Sequence, residues 1–176
     1  MQLKLSVSRP IKVWLFGLFV FIVVCSAAQS ANLPEPTGEV ILTVTGNIAY
    51  TNSDKGAQFD VAMLKEFELI TKRIDTPWSK RGAQFNGVLT RELLQLVGAE
   101  GSWARASAAN DYQVNIPLTD LTQFDTLLAM RMDGEQLTLR DYGPLWLLYS
   151  EDHRPKLADS VLQSRMIWQL ESLHIK

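Results

Sequence analysis

The stretch Phe85-Asn-Gly-Val-Leu-Thr-Arg-Glu-Leu-Leu-Gln-Leu-Val-Gly98 contains the clearest helix signal in the chain. Thr90 is suited to the N-cap, and Leu89 before it can pack against Leu94 as a hydrophobic staple. Gly98 suits the left-handed position that ends a helix. We therefore expect a helix between Thr90 and Gly98 with one buried stripe, formed by Leu93, Leu94, Leu96 and Val97.

Strand signals lie on both sides of this helix. Residues 40–45 are rich in β-branched side chains, and residues 111–116 alternate between polar and apolar side chains. Residues 145–149 form a continuous apolar run of strand length. Asp133-Gly134 is the dipeptide most typical of a two-residue hairpin turn, so a strand is expected before it and another after it.

Other segments favour short helices or irregular structure. Apolar residues recur at helical spacing over residues 58–70, with Asp60 as a candidate N-cap. Residues 71–81 are expected to be irregular because Pro77 interrupts regular structure, and residues 118–124 to form one or two helical turns. The apolar spacing over residues 162–173 fits a helix, whereas that over 167–175 also fits a strand.

Short strands interleaved with a few helices predict an α+β domain with a mixed, mostly antiparallel sheet. Residues 40–176 are expected to form this single domain, which is large enough to bury a core without a metal or a disulfide. Residues 31–39, which include Pro34 and Pro36, are expected to be a linker.

The first thirty residues have the pattern of a secretory signal peptide. Three cations (Lys4, Arg9 and Lys12) precede an apolar run at 13–24, and small residues follow. The run is shorter than the roughly 20 residues that a membrane span needs. Arg9 is followed by proline, so the twin-arginine pattern is absent. We expect Sec-type export to the periplasm or the medium, with membrane attachment only if the signal stays uncleaved.

Composition excludes several functions. The chain has 17 basic and 19 acidic residues, and residues 31–176 alone carry a net charge of -5, so a strongly basic nucleic-acid-binding surface is not expected. The one cysteine, Cys25, lies in or beside the predicted signal, which leaves no thiol in the mature chain. Two distant histidines, His153 and His174, indicate neither a zinc site nor a hydrolase triad, and no glycine-rich phosphate loop occurs.

Trp78 differs from the other tryptophans because it lies among Ser79, Lys80 and Arg81 in a segment predicted to be irregular. An aromatic side chain in such a segment can line a ligand groove or pack at the edge of the core. Both interpretations remain open on the sequence. Trp146 and Trp168 lie in apolar runs, where core packing explains them.

Five motifs in order resemble the sulfite oxidase-type molybdopterin-binding domain family. The helix of residues 85–98 is similar to that family's Gly-Val-Leu…Leu-Leu segment, and Asp111-Tyr…Ile-Pro-Leu118 to its Asp-Gly-Tyr…Ile-Pro-Leu strand. Similar matches occur at 127–137, 140–145 and 165–170. The resemblance implies the family's α+β fold and a short helix ending near Ser164, followed by a strand.

The resemblance also implies molybdopterin as a possible cofactor, since family enzymes hold molybdenum through the pterin dithiolene and one cysteine thiolate. The chain departs from this pattern. It offers no thiolate after export, has Ile167 at the family's lysine position, and has Met130 where sulfite oxidases carry a tyrosine. Enzymes with this cofactor normally leave the cytoplasm folded, through the twin-arginine route.

We therefore expect an exported, non-catalytic domain without a cofactor that binds a small ligand or an envelope protein partner, for example as the sensing component of a membrane signalling protein. One alternative is a genuine molybdopterin-dependent oxidoreductase without a cysteine ligand, and another is an unrelated envelope protein. For Arg140 a salt bridge with Asp141 is equally consistent, and Asn110 and Asp111 can form a turn. The candidate groove residues are Trp78, Arg81, Asn110, Tyr112, Arg140 and Arg165.

Overall fold

The predicted α+β class is confirmed in the computed structural model, which describes residues 33–150 and 159–176. The predicted signal peptide at 1–30 lies outside these residues. Within the described ranges, no helix is both long enough and apolar enough to cross a membrane. The described residues form four short helices: α1 (Val61–Lys65), α2 (Thr90–Leu96), α3 (Leu118–Gln123) and α4 (Asp159–Arg165).

The strands are divided between two sheets. In sheet order, the first holds β2 (Ala57–Phe59), β1 (Leu42–Gly46), β11 (Leu170–Ile175), β5 (Trp103–Ala108) and β6 (Gln113–Pro117). The second holds β10 (Ile167–Trp168), β9 (Trp146–Leu148), β7 (Leu127–Met132), β4 (Gln84–Leu89) and β3 (Ile70–Arg73), with β8 (Glu135–Gln136) paired to β7. Strands β1 and β11 pair in parallel, and the other pairs in the described ranges are antiparallel. Buried side chains from both sheets form one hydrophobic core.

The turn chemistry predicted from the sequence is present. Asp133 and Gly134 have φ of 51° and 88°, the positive values that a two-residue hairpin turn requires, and they connect β7 to β8. The Asp133 Oδ1 also accepts a hydrogen bond of 2.9 Å from the Gln84 backbone N–H, which fixes the turn to β4. Gly98 follows α2 at φ 60°, as expected of a residue that ends a helix.

The helix predicted over 58–70 is wrong at both ends. Gln58 lies in β2 and Ile70 in β3, so only Val61–Lys65 is helical. Sheet pairing overrides the helical spacing here, since Phe59 pairs with Leu42 and Ile70 with Gly87. Strand β3 also corrects the prediction that residues from 71 onward are irregular.

Asp60 is the N-cap of α1, as predicted. Its Oδ1 accepts a hydrogen bond of 2.8 Å from Met63 N–H, and its Oδ2 accepts bonds of 2.8 Å from both Thr37 and Gly38. These hydrogen bonds lower the pKa of the Asp60 carboxyl. The described part of the predicted linker is thereby fastened to the start of α1, and its Leu33 is buried.

Two details of α2 are wrong in the sequence analysis. Thr90 does not act as the N-cap, because its hydroxyl donates to the Thr126 carbonyl at 3.2 Å and Leu89 occupies the cap position. Leu96 is 41% exposed, whereas Leu93 and Val97 are fully buried. At 100° per residue, Leu96 lies about 110° from the middle of the buried stripe, which places it beyond the stripe's edge.

Candidate functional site

A cleft of about 290 Å³ lies where three segments meet. The segments are the loop after β3, the β5–β6 hairpin, and the chain from α4 into β10. Its surface is mainly apolar. The residues that line it are Trp78, Ala108, Asn110, Tyr112, Gln163, Ser164, Met166, Ile167 and Trp168. We call this cleft the aromatic cavity.

Two tryptophans form one wall of the aromatic cavity. The ring centroids of Trp78 and Trp168 are 5.0 Å apart and the rings are nearly perpendicular, which is a favourable edge-to-face arrangement. Behind them lies Trp146, which is fully buried with its ring centroid 6.3 Å from Trp78 and 6.4 Å from Trp168. Tyr142 stacks on Trp146 at 4.5 Å. The wall is therefore continuous with the core.

Backbone hydrogen bonds fix the position of Trp78. The Thr76 hydroxyl accepts from the N–H of Trp78 at 3.2 Å and of Ser79 at 3.0 Å, which forms a local turn. The Tyr142 hydroxyl donates to the Trp78 carbonyl at 3.2 Å. The half-buried ring of Trp78 therefore packs at the edge of the core and also lines the cavity, as the two interpretations from the sequence each proposed.

The opposite wall is the tip of the β5–β6 hairpin. Asn110 and Asp111 form its turn, with Asp111 at φ 65° and the Asn110 Oδ1 accepting from Tyr112 N–H at 3.1 Å. The Tyr112 hydroxyl donates to the Ser164 carbonyl at 2.8 Å, which joins the hairpin to α4. The turn expected at Asn110 is thus present at the cavity.

Two free amide groups face this cleft. The Asn110 Nδ2 and the Gln163 side chain have no hydrogen-bond partner among the described residues, and both residues line the cavity. Within residues 33–150 and 159–176, no lysine, arginine, aspartate or glutamate belongs to the lining. The aromatic cavity thus presents aromatic faces, a thioether and neutral polar groups.

Three of the six candidate groove residues, Trp78, Asn110 and Tyr112, come together at the aromatic cavity, and three arginines do not line it. The Arg81 side chain is 96% exposed, with its Nε 3.8 Å from the Asp75 carboxylate. Arg140 is exposed in the 3₁₀ turn Leu139–Asp141. The alternative salt bridge with Asp141 does not form within the described ranges, where the Asp141 carboxylate accepts from the Thr138 hydroxyl at 2.9 Å.

Arg165 belongs to a buried network instead. Its Nη1 lies 2.5 Å from the Asp120 Oδ2, and the side chains of Arg165 and Asp120 are 17% and 8% exposed. The Tyr149 hydroxyl donates to the same carboxylate oxygen at 2.9 Å. Burial raises the pKa of the Tyr149 hydroxyl, and the Asp120 carboxylate beside it raises that pKa further. Arg165 therefore holds the end of α4 to α3 and β9, directly before the cavity residues Met166 and Ile167.

The cavity residues contributed by the C-terminal segment were not predicted from the sequence. Trp168 was assigned to core packing, and Ile167 was noted only as a departure from a lysine. Both lie next to Arg165, in the 165–170 motif. That motif was the available signal, but a single sequence does not show which of its side chains point into a cleft.

Comparison with known proteins places this geometry in a family. The chain is similar to the sulfane dehydrogenase SoxCD from Paracoccus pantotrophus, with 18% sequence identity and a TM-score of 0.55, a likeness that concerns the fold alone. The match covers 76% of this chain and 37% of that one, so this chain corresponds to little more than a third of its neighbour. No curated protein matches.

The sequence profile of the oxidoreductase molybdopterin binding domain matches residues 52–150, which is more than half of the chain. The match confirms the resemblance read from the five motifs and removes the alternative of an unrelated envelope protein. It begins beyond the predicted signal and ends in the segment just after β9. The chain belongs to the oxidoreductase molybdopterin binding domain family.

Proposed function

We propose that this protein is an exported domain that keeps the family scaffold but binds a small ligand or a partner protein instead of catalysing a molybdenum-dependent reaction. One observation carries the proposal: the described residues that line the aromatic cavity include Trp78, Tyr112 and Trp168 but no thiol and no charged side chain. A periplasmic or secreted location, and a role as the sensing component of a membrane signalling protein, belong to the same proposal.

The residues around the cavity do not fit molybdopterin well. A phosphate group is normally held by charge-assisted bonds from arginine or lysine. Ile167, at the family's lysine position, is 1% exposed and apolar, and the Arg165 guanidinium is paired with Asp120. The family's metal ligand is a thiolate, and residues 33–150 and 159–176 contain no cysteine.

A metal site built from protein side chains alone is a separate question from a pterin-bound metal. No group of three or more histidine, cysteine, aspartate or glutamate side chains that could hold a metal ion occurs in those two ranges. Met130, at the position where sulfite oxidases carry a tyrosine, is 6% exposed and borders a different cleft. The proposal therefore includes no step that depends on molybdenum.

The alternative, a molybdopterin-dependent oxidoreductase without a cysteine ligand, is supported by family membership. The two functions are separated by measuring molybdenum by mass spectrometry and oxidised pterin by fluorescence on protein purified from its native host. We expect neither in stoichiometric amount, while circular dichroism shows a folded domain. Stoichiometric molybdenum together with pterin would establish the alternative. A cysteine-containing family enzyme purified in parallel controls for loss of cofactor.

Export has its own measurement. N-terminal sequencing of the protein from the periplasm or the medium is expected to show a chain that begins at residue 28, 29 or 31, because small residues precede each of these positions. Recovery of the full-length chain in the cytoplasm alone would contradict the proposed location.

A further inference from the structure

The shape of the aromatic cavity restricts what can bind there. Trp78 and Trp168 offer ring surfaces on one side, and the Tyr112 ring lies on the other. Aromatic side chains stack or pack edge-to-face with flat rings, and such pairs add to the free energy of apolar burial. The volume of about 290 Å³ is at the small end of the roughly 300–1,000 Å³ typical of ligand pockets, which limits the ligand to one or two fused rings.

The charge of the lining restricts the ligand further. Among the described residues, the lining contains no ionisable side chain apart from the Tyr112 phenol, so this part of the cavity holds no group to neutralise a carboxylate or an ammonium ion. Moving an unpaired charge out of water is costly. A cation would gain some attraction from the tryptophan faces but would meet no carboxylate of the described lining. These properties favour an uncharged ligand.

The free amides indicate which polar atom the ligand carries. The Asn110 Oδ1 is occupied by the Tyr112 N–H, which leaves the Nδ2 group as a donor without a partner among the described residues. The Tyr112 hydroxyl already donates to the Ser164 carbonyl. The exposed Gln163 amide adds a second donor that has no partner among the described residues. Amide N–H groups at the rim of an apolar cleft match a carbonyl oxygen.

We propose that the aromatic cavity binds a flat, uncharged aromatic compound of one or two rings that carries a carbonyl oxygen. The rings pack against Trp78 and Trp168, and the carbonyl accepts from the amide of Asn110 or Gln163. This inference rests on the proposed function, because molybdopterin in the same cleft would displace such a ligand.

The test uses four compounds of similar shape, titrated into the mature protein at about pH 7 by calorimetry: quinolin-2-one, naphthalene, quinoline-2-carboxylate and N-methylquinolinium. Quinolin-2-one is expected to bind saturably at one site, about tenfold or more tighter than either charged compound, and tighter than naphthalene, which lacks the carbonyl. Equal or tighter binding of a charged compound, or no binding of quinolin-2-one, would overturn the inference.

Substitutions in the aromatic cavity test whether quinolin-2-one binds there. Ala108→Leu fills the cavity and is expected to weaken quinolin-2-one binding about tenfold or more, whereas the same change at the exposed Ala62 has no effect. Gln163→Lys, at an exposed position that tolerates substitution, is expected to shift the preference toward quinoline-2-carboxylate. Gln123→Lys, on α3, is its matched control. Unchanged selectivity in Gln163→Lys would place the binding elsewhere and refute the assignment.

The outcomes distinguish this inference from the proposed function. If quinolin-2-one fails to bind and the purified protein also lacks molybdenum and pterin, the ligand class is wrong and the proposed function stands. If stoichiometric molybdenum and pterin are found, the proposed function itself fails.

Discussion

The buried pair of Arg165 and Asp120 gives a quantitative test of how the C-terminal wall of the aromatic cavity is held. In Arg165→Met the aliphatic part of the side chain is kept and the guanidinium is lost. Of the side-chain donors that the described residues give Asp120, whose side chain is 8% exposed, the Tyr149 hydroxyl then remains. Removing one partner of a buried pair costs about 3–5 kcal/mol of unfolding free energy. Because Tyr149 remains and Arg165 is 17% exposed, we expect the lower end, about 3 kcal/mol.

The assay is urea unfolding followed by far-UV circular dichroism. With a slope of about 1–3 kcal/mol per molar urea, the midpoint should fall by roughly 1–3 M. Arg91→Met is the matched control, because Arg91 pairs with Asp125 where both side chains are about 40% exposed, and such pairs contribute about 0–1 kcal/mol. If Arg165→Met costs no more than Arg91→Met, the assignment of a stabilising buried pair is wrong.

Two further predictions concern close packing and acid stability. Gly87→Ala should lower the free energy of unfolding by about 3 kcal/mol, because an added Cβ would lie 2.0 Å from the Leu128 carbonyl oxygen. Gly134→Ala should lower it by about 1 kcal/mol, since an added Cβ meets no atom within 4 Å and only the positive φ opposes the change. Equal urea midpoints for the two variants would contradict this prediction. Hydrogen bonds from Lys72 and Arg91 lower the pKa of Asp125 to about 2, so its contribution is complete above the unfolded pKa of about 4 and is lost as the pH falls from there through 2. In Asp125→Asn, the free energy of unfolding should therefore fall less over that pH interval than in the wild type, by no more than about 1 kcal/mol because Asp125 is 41% exposed. An unchanged dependence of unfolding free energy on pH would contradict the lowered pKa of Asp125.

The parts of the fold that local chemistry determines were predictable from the sequence. Asp133-Gly134 specifies its hairpin because few other residues adopt two consecutive positive φ values. Asp60 and Gly98 mark helix ends for equally local reasons. The short helix Asp159–Arg165 and the strand after it followed from the family resemblance, since spacing alone left the C-terminal segment ambiguous.

The parts that depend on distant pairing were not predictable. Strand β5 was missed because its buried positions are Ala104, Ala106 and Ala108, and alanine has a low strand propensity. It forms because β11 and β6 pair with it on both sides. The helix that contains α1 was predicted to be longer, over residues 58–70, for the same reason. Gln58 and Ile70 are in strands because they pair with strands elsewhere in the chain.

Half of the candidate groove residues predicted from the sequence line the aromatic cavity. Trp78, Asn110 and Tyr112 were found because an aromatic residue in an irregular segment and a polar turn before a strand are visible in one sequence. Arg165 was assigned to the groove, yet it faces Asp120, a residue 45 positions away whose burial the sequence does not reveal. Arg81 and Arg140 were also predicted to line the groove, and the described lining of the cavity contains no arginine.

We propose above all that this member of the family functions without bound molybdopterin. Native mass spectrometry of the protein, taken from the envelope of its own host without denaturation, tests that claim most directly. We expect the mass of a polypeptide that begins at residue 28, 29 or 31, alone or with a small uncharged adduct. A dominant species with the isotope pattern of molybdenum and the mass of bound pterin would contradict it.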